Sequence, residues 1–356
     1  MVGKAEQISN AVLLADAPPR TAFGAAIGVV IPFWQREPTL LRAAVQSVCA
    51  QRIDIAVEMV IVDDGSPVSA RSELRGLVAP PNFSIRLIER ANAGVAAARN
   101  AALDVMIDKV EYVTFLDSDD IWRPNHVRRM LRAFAQGADF YFTDYIRPDE
   151  AQSSFEQNSA ERLSCDAPLP RNDDVYWLQG NFLEIILKNS PIGLSTVGYR
   201  AANVKSVRFS CDFRRACEDR FFFAELSRRM GPVAFCTRRD VIYGVGANLF
   251  KGARFGSSAG AERIRDSARF HSRLAAQFPL TPSQRAWNHL ALISLDHQFI
   301  ETVCSYIVNE RVVRFEIIKS YFENRPSIIW RLVPNVCHLL FRKFLKMVAR
   351  SGRGAS

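Results

Sequence analysis

This chain of 356 residues has no Cys-x-x-Cys pair, no His-x-His and no His-Glu-x-x-His spacing, so the commonest transition-metal sites are not expected. Its seven cysteines, at 49, 165, 211, 217, 236, 304 and 337, form an odd and scattered set, which suits reduced thiols better than a disulfide framework. The five histidines, at 126, 271, 289, 297 and 338, are equally dispersed. Before about Thr21 there is no basic start followed by a long apolar core, so no secretory signal is read and a cytoplasmic location is expected. Internal repeats and low-complexity tracts are missing. No acid follows Glu323, yet Pro334 and several charges keep the last apolar segment short of the roughly 20 apolar residues that a membrane span requires.

What remains is the composition of a globular chain with a sizeable core, 48% hydrophobic and 23% charged. The net charge of +9 admits nucleic acid, an anionic membrane surface or a phosphorylated ligand. No nucleic-acid motif or aromatic-lined basic groove accompanies it, so nucleic acid is not an expected partner. The basic residues Arg331, Arg342, Lys343, Lys346 and Arg350 alternate with apolar ones over 327–350. Two readings stay open there: a basic amphipathic helix in peripheral contact with the inner face of the cytoplasmic membrane, or a C-terminal helix packed on the protein with a solvated basic face.

Residues 26 to 145 alternate apolar runs with helical spacing. Strands are expected at Ala26–Phe33, Val57–Val62, Ser84–Ile88, Tyr112–Leu116 and Asp139–Thr143. Between them, helices are expected at Pro38–Ala50, Val68–Leu77, Val95–Ile107 and Pro124–Gln136. The pattern predicts an α/β fold with a mostly parallel sheet flanked by helices. Beyond it, residues 147–171 read as a surface excursion, Val175–Lys188 as a helix, Ser195–Tyr199 as a strand, Ala216–Leu226 as a helix and the region of Val241 as a strand. From about Ala261 the chain reads as helices.

Motifs stand at the ends of these strands. The fourth ends in Asp117-Ser118-Asp119-Asp120, three carboxylates in four residues, which at the C-terminal end of a strand can hold Mg²⁺ or Mn²⁺ by oxygen alone. The others are Val30-Ile31-Pro32-Phe33-Trp34, Ile61-Val62-Asp63-Asp64-Gly65-Ser66 and Asn92-Ala93-Gly94-Val95-Ala96-Ala97-Ala98-Arg99-Asn100. In this order and at these intervals they resemble the family 2 glycosyltransferases of the GT-A fold, inverting enzymes that take a sugar from a nucleotide diphosphate. The resemblance is specific over about residues 26–145, looser to about 250 and absent beyond.

It implies a flexible N-terminus at 1–22, a GT-A (Rossmann-like) domain at 23–255 and a helical C-terminal region at 256–356. Within the domain, 23–145 would be the nucleotide-sugar half and 146–255 the acceptor half. Pro32 opens the base site, Trp34 stands where the family usually stacks a Tyr on the base, and Asp64 where it places the base-binding Asp. Gly94 lets the backbone come close at a helix start, and Arg99 would reach a uracil or diphosphate. Asp119 matches the principal metal ligand of the DxD motif, Asp117 would orient sugar or metal water, and Asp120 would order the following turn. Glu218-Asp219 resembles the ED pair whose Asp is the usual general base, and adjacent helical residues point about 100° apart, so only one faces the sugar.

The implied activity is transfer from a UDP-sugar to a hydroxyl of a saccharide or lipid-linked saccharide, with Mn²⁺ or Mg²⁺ as cofactor, in polysaccharide or glycoconjugate biosynthesis. One departure stands out: many relatives carry Tyr-Arg-x-His after the strand that here precedes Tyr243-Gly244-Val245-Gly246. The missing side chains keep a second reading alive, a non-catalytic nucleotide-sugar-binding or scaffold protein of the same fold.

Overall fold

In the computed structural model, residues 11–13, 26–158, 174–189, 191–244, 255–310 and 314–328 are described. The chain divides into two compact units, the first of residues 1–212 and 218–248, the second of residues 213–217 and 249–356.

The first unit is built on one sheet. Its elements are β1 (Ala11–Leu13), β2 (Ala26–Phe33), α1 (Leu40–Cys49), β3 (Ala56–Asp64), α2 (Ala70–Leu74), β4 (Phe83–Arg90), α3 (Val95–Met106), β5 (Tyr112–Phe115), β6 (Ile121–Trp122) and α4 (His126–Ala135). They continue with β7 (Phe140–Ile146), α5 (Ser154–Gln157), β8 (Val175–Trp177), α6 (Phe182–Asn189), β9 (Val197–Arg200), α7 (Glu218–Ser227) and β10 (Val233–Ile242). The strand order is β1-β4-β3-β2-β5-β9-β7-β10-β6, with β8 also on β10.

Strand β2 is central and buried from Ile27 to Phe33, as a parallel strand covered on both faces must be. Helix α1 seals one face by burying the stripe Leu41, Ala44, Val45 and Val48. The directions of the strands locate the functional edge. β2, β3, β4 and β5 run parallel, and β9 is antiparallel to both β5 and β7, so β7 and the parallel β10 point the same way as β5. Six strands therefore end on one edge, where open α/β sheets bind ligands.

The antiparallel strands β6, β8 and β9 were not legible as such. The expected helix Val175–Lys188 is instead β8 followed by α6, with Gly180 at φ +92° between them. The reason is that β-branched and aromatic Val175-Tyr176-Trp177 pairs with Ala234–Cys236 of β10. The expected strand from Ser195 begins as a 3₁₀ turn over Leu194–Thr196 and becomes extended only at Val197.

Helix α4 carries a fully buried histidine. His126 lies against Trp122 at 4.7 Å and Tyr141 at 6.2 Å, and neither ring nitrogen has a hydrogen-bond partner. Burial, with Arg129 adding to it, pushes its pKa down to about 3. Its place at a helix N-terminus acts the same way. The unfolded chain therefore binds one more proton than the folded chain at any pH between about 3 and the ordinary 6.5, so this contribution is complete above pH 6.5 and is lost as pH falls. Denaturant unfolding of His126→Phe against wild type is expected to show it: the wild type loses about 1.4 kcal/mol more per pH unit below pH 6.5. Parallel pH profiles would rule this out.

The second unit contains α8 (Ser258–Gln277), α9 (Pro282–Glu310) and α10 (Phe315–Asn324). Its core joins Ala261, Ala268, Leu292, Phe299, Ile300, Ile317, Tyr321 and Ile328. Fully buried Asp296 accepts from the Tyr321 hydroxyl at 2.9 Å and from Arg325 at 2.7 Å, so its charge is matched inside the core. Among the described residues no helix is long and apolar enough to cross a membrane. Ile328, the second residue of the expected basic amphipathic segment, is a core residue; residues 329–350 lie outside those described.

Candidate active site

The acidic segment follows β5 directly. Leu116 donates its N–H to the Val30 carbonyl, continuing the β2 pairing by one bond, and then Asp120 N–H turns back onto the Asp117 carbonyl at 3.0 Å. This turn is pinned by a residue that no sequence signal marked. Fully buried Ser195 accepts the Asp117 N–H on its hydroxyl at 2.9 Å, accepts the Trp122 indole N–H on its carbonyl at 2.8 Å, and hydrogen-bonds the Asp120 carboxylate.

The three acids separate by exposure. Asp120 is buried, accepts the Gly244 N–H at 2.8 Å on one oxygen and, among the described residues, has no partner for the other. Burial, then the charges of Asp117 and Asp119, raise its pKa well above the usual carboxylate range, against the hydrogen bonds from Ser195 and Gly244. Asp117 and Asp119 are half-exposed at the edge. Gly244 accounts for the first of the two missing side chains after Tyr243, and the second position lies outside the described residues. A Cβ on Gly244 would lie 1.9 Å from the Asp119 carbonyl oxygen, so backbone fills the space that a larger residue would need.

Arg99 lies 3% exposed between two segments far apart in sequence. One end of its guanidinium donates to Asp117 at 2.8 Å and the other to Glu218 at 3.1 Å. Burial opposes its charge, but Asp117 and Glu218 outweigh burial and keep it protonated. It is expected to reach a uracil or diphosphate; in this structure its two terminal nitrogens donate to these two carboxylates, while Nε has no hydrogen-bond partner among the described residues. Aromatic packing holds the bridge in place. Phe222 of α7 stacks on Phe209 at 3.9 Å and meets Phe115 of β5 edge-on at 5.8 Å, and Arg99 lies over the Phe209 ring at 5.4 Å.

Helix α7 begins at Glu218, immediately after Cys217 at φ +68°. Phe221, Phe222 and Phe223 are all buried, so this helix has no single inward face that could rank its two acids. Their partners differ instead: Glu218 takes Arg99, whereas Asp219 accepts the Arg220 backbone N–H at 2.7 Å. Burial and neighbouring Asp219, offset by Arg99, leave Glu218 pushed up to about 7. Burial raises Asp219 as well, with the Arg220 N–H and Arg99 acting against it.

The expected base site is tied to the same edge. Gln35 exchanges both backbone groups with the Ser66 hydroxyl and reaches Ser118 with its side-chain amide at 3.2 Å. Trp34 is half-buried and carries the Arg36 guanidinium 5.2 Å above its ring. Pro32 is buried inside β2. It faces the same side as Val30, beyond the last β5 residue in register, so its missing N–H costs no ladder bond. Asp64 is 3% exposed; it accepts the N–H groups of Ala93 and Gly94 at 3.1 and 2.7 Å and lies 3.3 Å from Arg90. Part of its capacity thus holds the loop before α3, where Gly94 at φ +93° needs the freedom of glycine.

The sequence of motifs and this edge geometry agree with what comparison finds. The glycosyl transferase family 2 model matches residues 28–207, just over half of the chain. Succinoglycan biosynthesis protein ExoW of Rhizobium meliloti is 31% identical over 228 residues, 64% of this chain and 71% of that protein. Putative colanic acid biosynthesis glycosyl transferase WcaA of Escherichia coli is 33% identical over 132 residues, 36% of this chain and 45% of that protein. Two solved structures share the fold at low identity. S. aureus TarS 1-349 in complex with UDP-GlcNAc has a TM-score of 0.52 at 17% identity, covering 85% of this chain and 80% of that one. Mannosyltransferase PcManGT from Pyrobaculum calidifontis, with GDP-Man and Mn²⁺, has 0.55 at 12%, covering 94% and 88%. With its acidic strand end and the Glu218-Asp219 helix joined through one buried arginine on a GT-A sheet, this chain belongs to glycosyl transferase family 2.

Proposed function

We propose that this chain is an inverting transferase that moves a sugar from a UDP-sugar to a hydroxyl of a saccharide or lipid-linked acceptor in polysaccharide or glycoconjugate biosynthesis. The observation that carries this reading is the Asp117–Arg99–Glu218 bridge, which brings a diphosphate-side acid and an acceptor-side acid pair to one strand edge. The names of the relatives, in succinoglycan and colanic acid biosynthesis, support the pathway class.

The residues suit a hard divalent cation. Among the described residues no group of three or more His, Cys, Asp or Glu is placed to hold a metal ion by itself. Two half-exposed carboxylates beside an acid already crowded into a raised pKa suit Mn²⁺ or Mg²⁺ that takes its other ligands from water and a diphosphate. Asp119 and Asp117 would hold it, and when bound it would offset charge on the leaving diphosphate. Trp34 would stack on the base, with Asp64 and Gly94 shaping its edge. Arg99 positions Asp117 and Glu218, and Asp219 takes the acceptor hydroxyl's proton as that oxygen bonds to the anomeric carbon and the nucleoside diphosphate leaves.

Calorimetry with UDP- and GDP-sugars, with and without Mn²⁺, tests the reading. Wild type is expected to bind a UDP-sugar more tightly with the metal, and Asp119→Ala to lose that difference. Equal affinity with and without Mn²⁺ in wild type would remove the metal-assisted site.

Contact with an anionic membrane through residues 329–350 is part of the same proposal. Deleting 329–356, which spares buried Ile328, is expected to leave donor binding intact. Vesicle association should fall by about 1 kcal/mol for each basic residue removed from the surface. Unchanged sedimentation with anionic vesicles would withdraw it.

A further inference from the structure

The ends of β7 and β10 carry a constellation that the reading above does not use. These strands are parallel neighbours, and the Tyr243 N–H donates to the Ile146 carbonyl at 3.0 Å. The Tyr145 and Tyr243 rings stack at 4.1 Å, and the Arg147 guanidinium lies over both, 5.5 Å from one centroid and 5.6 Å from the other. All three residues are partly exposed. The group abuts the acidic turn: a Cβ on Gly193 would meet the Tyr243 hydroxyl at 1.7 Å, and Gly193 lies two residues before Ser195, which pins Asp117.

Charge distinguishes Arg147 from the other arginines at this edge. Arg99 is buried between Asp117 and Glu218, and Arg90 is engaged by Asp64 and the Ala97 carbonyl. Taking Arg99 from its partners would strand buried charge. Among the described residues Arg147 pairs with Glu150 alone, at 3.2 Å, both side chains about a third exposed, and such pairs contribute little and exchange readily. Glu150 would keep the Gln157 amide if Arg147 left it. A guanidinium held beside two stacked rings presents a fork suited to phosphate oxygens.

Resting on the function proposed above, we infer that Arg147, carried on the Tyr145–Tyr243 stack, is a diphosphate-binding residue at the acceptor-side end of the sheet edge. The diphosphate belongs either to the nucleotide donor or to a lipid-linked acceptor, and binding measurements separate these sources. With full-length protein, Arg147→Ala and Arg147→Gln are compared with wild type for UDP, GDP and uridine binding. KM is measured for a lipid-diphosphate-linked acceptor and for the same saccharide without phosphate. A donor role weakens UDP by roughly 10- to 100-fold, the range of a charge-assisted contact, and leaves uridine unchanged. An acceptor role leaves UDP unchanged and raises KM only for the diphosphate-linked acceptor. Arg147→Lys, which keeps charge but not the planar fork, should fall between. Wild-type binding of UDP with none of these quantities altered in the variants, or UDP and uridine weakened in proportion, overturns the assignment. Wild type that binds neither UDP nor GDP overturns the proposed function itself.

Discussion

Asp219→Asn is expected to keep the fold and donor binding while lowering sugar transfer by at least roughly 10²-fold, the contribution of a positioned general base. Glu218→Gln should cost less. The structural ground is the division of partners on α7: Glu218 is committed to the Arg99 guanidinium at 3.1 Å, whereas Asp219 accepts the Arg220 backbone N–H at 2.7 Å. Burial raises Asp219 and so strengthens it as a base. A base acts deprotonated, so transfer should rise with pH through the raised pKa of the pair. The two acids titrate together, and Glu218 is pushed up to about 7, so the wild-type limb belongs to the pair rather than to one residue. Steady-state transfer and donor affinity on the same variants decide the assignment. Near-normal transfer by Asp219→Asn would end it, and a larger loss in Glu218→Gln would move the role one residue upstream.

Removing the bridge should have the largest effect on stability. Arg99→Met keeps much of the side chain's bulk over Phe209 but leaves Asp117, Glu218 and Asp219 without their shared counter-charge. Breaking a buried pair of this kind costs about 3–5 kcal/mol. The cost depends on pH in a definite direction. Without Arg99 the folded pKa of Glu218 rises further above its unfolded value, so the folded chain binds more protons, and stability falls as pH rises from about 4.5 through 7 and beyond. Urea unfolding at pH 5 and pH 8 should therefore show a small deficit at the lower pH and most of the loss at the higher. Equal deficits would mean that Arg99 contributes packing rather than charge. Arg99→Lys should recover part of the high-pH stability, since an ammonium supplies charge without bonding both acids in one plane.

Not all parts of this site are equally visible in the residues. The acidic turn was legible because it ends an apolar run in order with the motifs at the other strand ends, not from its three carboxylates alone, and Gly94 because a helix start without a side chain signals an unusual backbone, here φ +93°. The fates of Asp117, Asp119 and Asp120 were less so: they are near neighbours in sequence, and only the packing of Ser195 and Gly244 buries the last and leaves the others half-exposed. Arg99 illustrates the same limit. Its type and place near a helix start fit a ligand contact, but its partner Glu218 lies 119 residues away and comes to it only through the Phe115–Phe222–Phe209 packing.

The sequence by itself determined the parallel α/β half, the motifs at its strand ends and, among the described residues beyond 255, the helices α8 to α10. Hydrophobic period and turn residues are local properties, and a few residues suffice to express them. Tertiary structure alone decided the antiparallel pairing of β6, β8 and β9, the bridging of Asp117 and Glu218 by Arg99, the exclusion of any side chain at Gly244 and the placing of Arg147 beside Tyr145 and Tyr243. Each of these depends on which distant segments lie side by side, and that is settled by burial and pairing over the whole sheet rather than by the neighbours of any one residue.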